Sequence, residues 1–431
     1  MNTIENITER FGKLQSQHND GHLATMRQHA FDAFNKMGVP TSKNEEWKYT
    51  RIGTLFNKEF DIARNVGITS ADVAAYHLPG HDDANALVFV NGEFSPSLSV
   101  VRSPELEVLS LHDATLHEQH RDVVAKNLGF SGKYVKDGIH ALNTAFMQEG
   151  VYIHVKRGKT TGHPVYIYNI TDARTLNILA QPRTLIHIAE NAEVQIVETY
   201  ATIGLCESFT NQVMEVVVER DARVEYCKIQ NDAAYTHEVT TTYFKQVSKS
   251  FVHSVTVSLN GGIVRNNLGI AMAADNCESH MYGLYFLKGK THTDNHTVVD
   301  NISPNCFSNE LYKGIIDDQA TAVFNGKIFV ERLAQKTNAF QSNKNILLSD
   351  TATVNTKPQL EIFADDVKCS HGCTVGRLDE EGMFYLRSRG ISEQTARSLL
   401  IHAFAKDVLE HIKPEPIRAY VDELIAERLQ L

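Results

Sequence analysis

Cys369, His371 and Cys373 fall within five residues of one another, in the stretch DDVKCSHGCTVGRLDEEGMFYLRSRG that covers positions 365–390. They alternate with Ser370 and Gly372. On an extended strand that period of two points all three side chains to one face. Two thiols and an imidazole on one face suit a soft metal such as zinc, copper(I) or iron–sulfur. The alternative is a buried strand end, with two small apolar cysteines and one hydrogen-bonded histidine. Three donors do not close a tetrahedral site, and C-x-H-x-C is not the C-x₂-C spacing of a zinc ribbon. A fourth ligand has to come from elsewhere in the chain or from a partner.

Other candidate chemistry is weaker. His292 and His296 stand four apart, a metal pair if helical, but the Thr, Asp and Asn around them read as strand or turn. The pairs Asp317-Asp318 and Asp365-Asp366 fit the two-carboxylate chemistry of β-solenoid glycosidases, yet adjacent strand residues face opposite ways, so turns are the better reading. Gly261-Gly262 lacks the rest of a dinucleotide fingerprint, and no P-loop, G-x-S-x-G or H-E-x-x-H occurs. NEEWKYT at 44–50 holds the single tryptophan; it reads as a packing anchor, with Glu45, Glu46, Lys48 and Arg51 able to form an ionic cluster around Trp47. His112, His117 and His120 are read as surface residues.

The elements that must position these residues follow from pattern. Residues 1–66 form an N-terminal helical segment, with Ile4, Ile7, Phe11 and Leu14 on one stripe, a polar break at 18–21, and Gly38 and Pro40 as stop signals. Residues 67–150 are a mixed connecting segment with a hairpin turning at Asn91-Gly92 and a short helix within 136–150. Residues 151–378 change texture, with period-two alternation, β-branched and aromatic residues and no helical stripe. Asn191-Ala-Glu-Val194 matches Asp221-Ala-Arg-Val224 at a separation of 30 residues, and variants recur around Cys277, Ala320 and Ala352. Strand, polar turn, small residue, strand, without helices between, predicts a stacked β-solenoid rather than the rival β-sandwich. Asn325, Asn338, Asn343, Asn345 and Asn355 are expected to form ladders in its last coils. Residues 379–431 are helical: Ser392 caps a helix whose stripe runs Ala396, Leu399–Leu400, Ala403–Phe404, Val408, Ile412, and Pro416 opens another. Helices at both termini are expected to cover the solenoid ends, whose open strand edges otherwise aggregate.

Composition sets bounds. Apolar residues make 42% of the chain and charged residues 22%, as in ordinary globular proteins, and the net charge of −10 argues against nucleic acid as a partner. The first twenty residues lack an apolar signal region, and no apolar run reaches the ~18 residues of a membrane span. A cytoplasmic address and six reduced thiols are therefore expected. Twenty histidines mildly favour metal or proton chemistry.

NEEWKYT at 44–50, the block KTNAFQSNKNILLSDTATVNTKPQLEIFADDVKCSHGCTVGRLDEEGMFYLRSRGISEQTAR at 336–397, and the order helical–solenoid–helical resemble the SufB/SufD family of the SUF iron–sulfur cluster assembly system. The SHG-x-TVG form places the resemblance on the SufD side. It implies a mainly β fold, a right-handed parallel β-helix core flanked by N- and C-terminal helical segments. It also implies a non-ATPase scaffold subunit that pairs with a SufB-like paralogue and docks a SufC-like ABC ATPase. The nascent iron–sulfur cluster is then built at the joint between the paralogues, with His371 and Cys369 matching family residues there and Cys373 falling where many members have alanine. The region 380–411 matches the ATPase-docking part, which nominates Met383, Tyr385, Arg387, Arg389, Leu399 and Phe404 as partner-binding residues. Some complexes of the family carry flavin, but no residues here mark a site for it. An isolated chain is expected to form a homodimer. Two further readings stay open: a purely structural partner that supplies no cluster ligands, and a β-helix carbohydrate-active enzyme.

Overall fold

The computed structural model of the chain describes residues 3–17, 21–62, 67–147 and 150–430. From Val151 onward the chain is strand after strand, alternating between two ten-stranded sheets. Strand Glu278–Leu287 pairs in parallel with Phe251–Asn260 and Phe307–Ile316 in one sheet. Strand His292–Asn301 pairs in parallel with Ile263–Met272 and Thr321–Val330 in the other. The result is the expected parallel β-solenoid, of about eight turns, with helices at both termini.

Burial on both faces explains the strand composition. The interior packs Ile196, Val216, Val224, Phe244, Val252, Ile270 and Phe324. The outer face of the first sheet buries Val255, Val257, Leu284, Phe286 and Ile315 under the C-terminal helices Glu393–Leu409 and Glu415–Leu429. The outer face of the second buries Leu179, Phe209 and Val239 under the N-terminal arm, against Phe11, Phe34, Trp47 and Phe60. Strands covered twice read as near-continuous apolar runs. Each such side chain contributes about 1.5–3 kcal/mol on burial.

The turn repeat has a backbone cause. Asn191, Asp221, Lys249, Asn276, Asn305 and Lys336 all have φ between 56° and 60°, and each precedes the small residue of its turn. Asn and Asp tolerate this left-handed conformation. The irregular spacing of the sequence repeat arose because Lys249 and Lys336 occupy the same positions without looking like turn residues. In addition, Asp318 (φ 53°) belongs to a second column of turns, on the other edge of the coil.

Several expectations are corrected. The terminal helices lie on the flanks of the solenoid, not across its ends. Short antiparallel strands, Glu93–Phe94 and Leu106–Ser110, close the first end. At the other end, among the described residues, Thr353–Ile362 and Lys368–Gly376 are the last strands of their sheets, with no strand beyond them. Ile4 is exposed, so the first stripe is Ile7, Phe11 and Leu14. The polar break falls partly at 18–20, outside the described residues. The buried stripe of helix Glu393–Leu409 is Ala396, Ile401, Ala405 and Val408, while Leu399 is exposed. Most of the nominated asparagines do not stack on asparagine: Asn338, Asn343 and Asn345 lie over Phe307, Tyr312 and Gly314. Asparagine rungs form earlier in the stack, where Asn266 donates to Asn295 at 3.0 Å and Asn260 donates to Asn231 at 2.6 Å. His112 and His117 are exposed as expected, but His120 is only 3% exposed, held between Tyr152 and Glu107.

Candidate functional site

Strand Lys368–Gly376 stacks in register on Asn338–Leu347, so Cys369 lies on Ala339, His371 on Gln341 and Cys373 on Asn343. Ala339, Gln341 and Asn343 point into the solenoid and are buried. The three candidate donors therefore continue an inward-facing column, as the alternation requires. They are accessible because the solenoid stops: Cys369 is half-buried against the core, and His371 and Cys373 are exposed. Partial burial raises the Cys369 thiol above its ordinary pKa. Beneath His371, Gln341 donates to Glu310 at 2.7 Å, and burial pushes Glu310 up to about 7. The imidazole thus tops a column that leads to a buried, readily protonated carboxyl.

All three donors share a face, but they are not gathered to a point. Alternate residues of a strand lie about 6.6 Å apart along it. The trio is not among the groups of donor atoms within 4.8 Å of one another that the described residues contain.

Beside this end, Asp379 caps helix Glu380–Ser388, its side chain accepting from the Glu381 amide. That helix buries none of its residues. Phe384 is 76% exposed and Tyr385 58%. The Arg389 guanidinium lies 5.3 Å from the Tyr385 ring centre, and Arg387 pairs with Glu393 at 3.4 Å. Met383 is half-buried. Phe404 differs from the others: its ring and carbonyl receive Lys313, at 4.3 Å and 2.9 Å, so it packs toward the solenoid. Phe384 was not singled out from sequence, although an aromatic pair on a polar helix is the signal for it.

Residues 169–404 match the SUF system FeS cluster assembly, SufBD core domain, and residues 5–167 match the SufBD protein N-terminal region. The chain belongs to the SufBD family. An iron–sulfur cluster assembly SufBD family protein of Synechocystis is 33% identical over 91% of this chain and 88% of its own length. The iron–sulfur cluster assembly protein SufD of Escherichia coli is 31% identical over 91% of this chain and 90% of its own length. A SufBD family protein of Mycobacterium tuberculosis is 30% identical over 51% of this chain and 57% of its own. The chain is thus a SufD-like SufBD protein of iron–sulfur cluster assembly, and the open coil is part of the matched core domain.

The remaining candidates find structural places within this SufBD fold. Trp47 is 1% exposed and lies under the Arg265 guanidinium, at 4.0 Å. Lys327 and Lys357 pair with Glu46 and Glu45, each at 2.5 Å. Those cations, and not Lys48 and Arg51, build the ionic cluster around the anchor. His292 and His296 sit on a strand, and His296 lies 3.0 Å from Asp294 and 3.3 Å from Glu46. Asp317 and Asp318 form a turn, with Asp318 accepting from the Gly289 amide at 2.9 Å. All six cysteines are free thiols. No helix among the described residues is long and apolar enough to cross a membrane.

Sequence reasoning missed a polar seam inside the solenoid. Lys228 is fully buried and donates to Thr240 at 2.8 Å and Asn266 at 3.3 Å. Gln230 donates to Glu238 at 2.7 Å, and Tyr226 donates to Glu198. Burial pushes Glu238 up to about 8 and Lys228 down to about 8. Alternating polar residues on strands read as solvent-facing, so no sequence signal marked these as interior.

Proposed function

We propose that this SufBD protein is the non-ATPase scaffold subunit of a SUF assembly complex. Its open coil pairs with a SufB-like paralogue, and the nascent iron–sulfur cluster is built as cargo across that joint. The observation that carries the reading is the unfinished column Cys369–His371–Cys373, donors facing inward on a strand with no strand above it. A second chain would finish the column and supply the missing ligands. The exposed helix Glu380–Ser388, with Phe384, Tyr385, Arg387 and Arg389, is the surface for a SufC-like ABC ATPase. Closure of that ATPase would move the two solenoids against each other as rigid bodies. An isolated chain would pair with itself through the same edge. The chain itself acts as scaffold, not as an enzyme.

The test is co-expression with both partners, anaerobic purification, and iron, sulfide and visible-absorption analysis of the native complex against His371→Ala. A complex that forms normally but carries no cluster supports the reading. A specific observation favours a second one, a structural half that supplies no ligands: the donors stand a full strand repeat apart. Equal cluster in the complex with Cys369, His371 and Cys373 all replaced would establish it.

A further inference from the structure

At the closed end of the solenoid, far along the stack from Cys369, a second set of donors comes together. Glu107 on strand Leu106–Ser110 lies directly opposite His154 on strand Val151–Val155. His187, on the next strand, is in register with His154. Residues paired in this way share a face, with Cβ atoms about 4.5–5.5 Å apart in an antiparallel pair. His120, the residue before helix Arg121–Asn127, drops onto this row. Its Nε2 stands 3.2 Å from Glu107 Oε2, yet makes no hydrogen bond despite its burial. Its Nδ1 faces the Tyr152 hydroxyl at 3.4 Å.

One donor atom each from Glu107, His120 and His154 lies within 4.8 Å of the others. Ligand atoms that share a tetrahedral zinc stand about 3.3 Å apart, given bonds of ~2.0–2.1 Å. The His120–Glu107 pair is already at that separation. Behind the trio, His154 Nδ1 meets His187 Nδ1 at 3.1 Å, and His187 Nε2 lies 3.5 Å from Glu219. This is the arrangement of a carboxylate–histidine relay that orients a ligand. Burial, reinforced by the neighbouring imidazoles, keeps His154 neutral, with its pKa down to about 4. Lys156, 3.9 Å from the other oxygen of Glu107, is a half-exposed cation that a metal would displace.

We propose that Glu107, His120 and His154 form a binding site for a divalent first-row transition ion such as zinc or ferrous iron, with His187 and Glu219 positioning it. Two imidazoles and one carboxylate are a donor set used for both ions, and they leave a position open for water or another ligand. The site is independent of the cluster-assembly reading, because none of its residues lies near the open coil.

The test uses the full chain carrying Cys369→Ser, His371→Ala and Cys373→Ser, so that the open-coil donors are gone. Cobalt(II) titration followed by visible absorption is expected to show one ion per chain, with d–d bands and no thiolate charge-transfer band, displaced by zinc. Glu107→Gln and His154→Ala are each expected to weaken binding by about 100-fold or more, and His187→Ala by about 10–100-fold. Glu107→Gln is conservative and half-exposed, so it should fold. A zinc-induced rise in melting temperature, present in the parent and lost in Glu107→Gln, is the independent readout. No cobalt uptake by the triple variant, or uptake that is indifferent to Glu107→Gln and His154→Ala, overturns the proposal.

Discussion

Asp294→Asn tests whether the tryptophan motif is tied to the solenoid by charge or only by shape. Asp294 is 1% exposed. It accepts from Arg265 at 2.6 Å and from the Thr50 hydroxyl, and it lies 3.0 Å from His296. Arg265 also donates to the Glu46 carbonyl at 2.8 Å and covers the Trp47 ring, while Trp47 donates to Asp137 at 3.0 Å. Burial works to raise the Asp294 pKa, but His296 and Arg265 outweigh it and hold the group well below the usual carboxylate range. Asparagine keeps the shape and removes the charge, leaving Arg265 buried beside a neutral group. Breaking a buried pair in this way costs about 3–5 kcal/mol. A depressed folded-state pKa gives stability that is present above the unfolded value, near 3.9, and lost as pH falls through the folded one. The deficit of Asp294→Asn is therefore expected in full at pH 7 and to shrink below pH 4. Trp47 is the only tryptophan, so urea unfolding followed by its fluorescence reads this joint directly, and far-ultraviolet circular dichroism reads the sheets. The fluorescence transition is expected to move first and furthest. The double variant Arg265→Met/Asp294→Leu, with no stranded charge, is expected to lose less than Asp294→Asn alone. A single variant within about 0.5 kcal/mol of the parent at pH 7, the scale of an ordinary surface change, would refute the reasoning.

Glu238, pushed up to about 8 by burial with Asp232 adding to it, makes the protein lose stability as pH rises from its unfolded value toward 8. Between pH 6 and 8 the loss is about 2 kcal/mol, and Glu238→Gln is expected to flatten that part of a pH series of urea midpoints. Gly283 lies in register with Tyr312, and a Cβ there would meet the ring at 2.2 Å. Gly283→Ala is expected to cost about 1–3 kcal/mol in thermal unfolding. Gly372→Ala, whose Cβ meets nothing within 4 Å, is the matched control and should melt with the parent. On the proposed pairing, the amides of strand Lys368–Gly376 exchange fast in a free monomer and slow down on binding a SufB-like paralogue. Unchanged exchange in the complex would remove this edge from the joint.

The solenoid was legible because two turn positions announced themselves as Asn-Ala and Asp-Ala, and because its strands are rich in β-branched and aromatic residues with no helical stripe between them. Its coil length was blurred where Lys249 and Lys336 took the left-handed position. Lysine gives no sequence signal there, although the coil geometry fixes its backbone. The C-terminal helices were legible as helices, but their destination was not. A stripe shows that a face is buried without showing against what. Apolar residues on both sides of the helix at Leu399 and Ile401 left its orientation to tertiary packing. His120 looked like one of three surface histidines, since nothing local distinguishes it from His117. The strand Leu106–Ser110 that sits beneath it was not read from the mixed segment. The candidate donors at 369, 371 and 373 were legible to the level of their shared face. That they stay uncovered follows from where the stack ends, which no local pattern encodes.

That ending constrains what the donors can do. Along one strand, neighbours on the same face stand about 6.6 Å apart at their Cα atoms, so His371 and a cysteine reach one iron only by leaning their side chains together. Across a strand pairing the distance is shorter, since adjacent strands lie about 4.7–4.9 Å apart. A partner strand laid along Lys368–Gly376 would therefore bring its own donors nearer to His371 than this chain's cysteines are. An unpaired strand edge is also a liability, to be charged, covered or paired. Here the terminal helices are spent on the flanks of the sheets, and the edge keeps only Lys368 as a charge within its strand. A column of soft donors on an unprotected edge is at odds with a stand-alone monomer. On the proposed pairing, placing that column against a second solenoid would relieve the edge and add the partner's donors in one step.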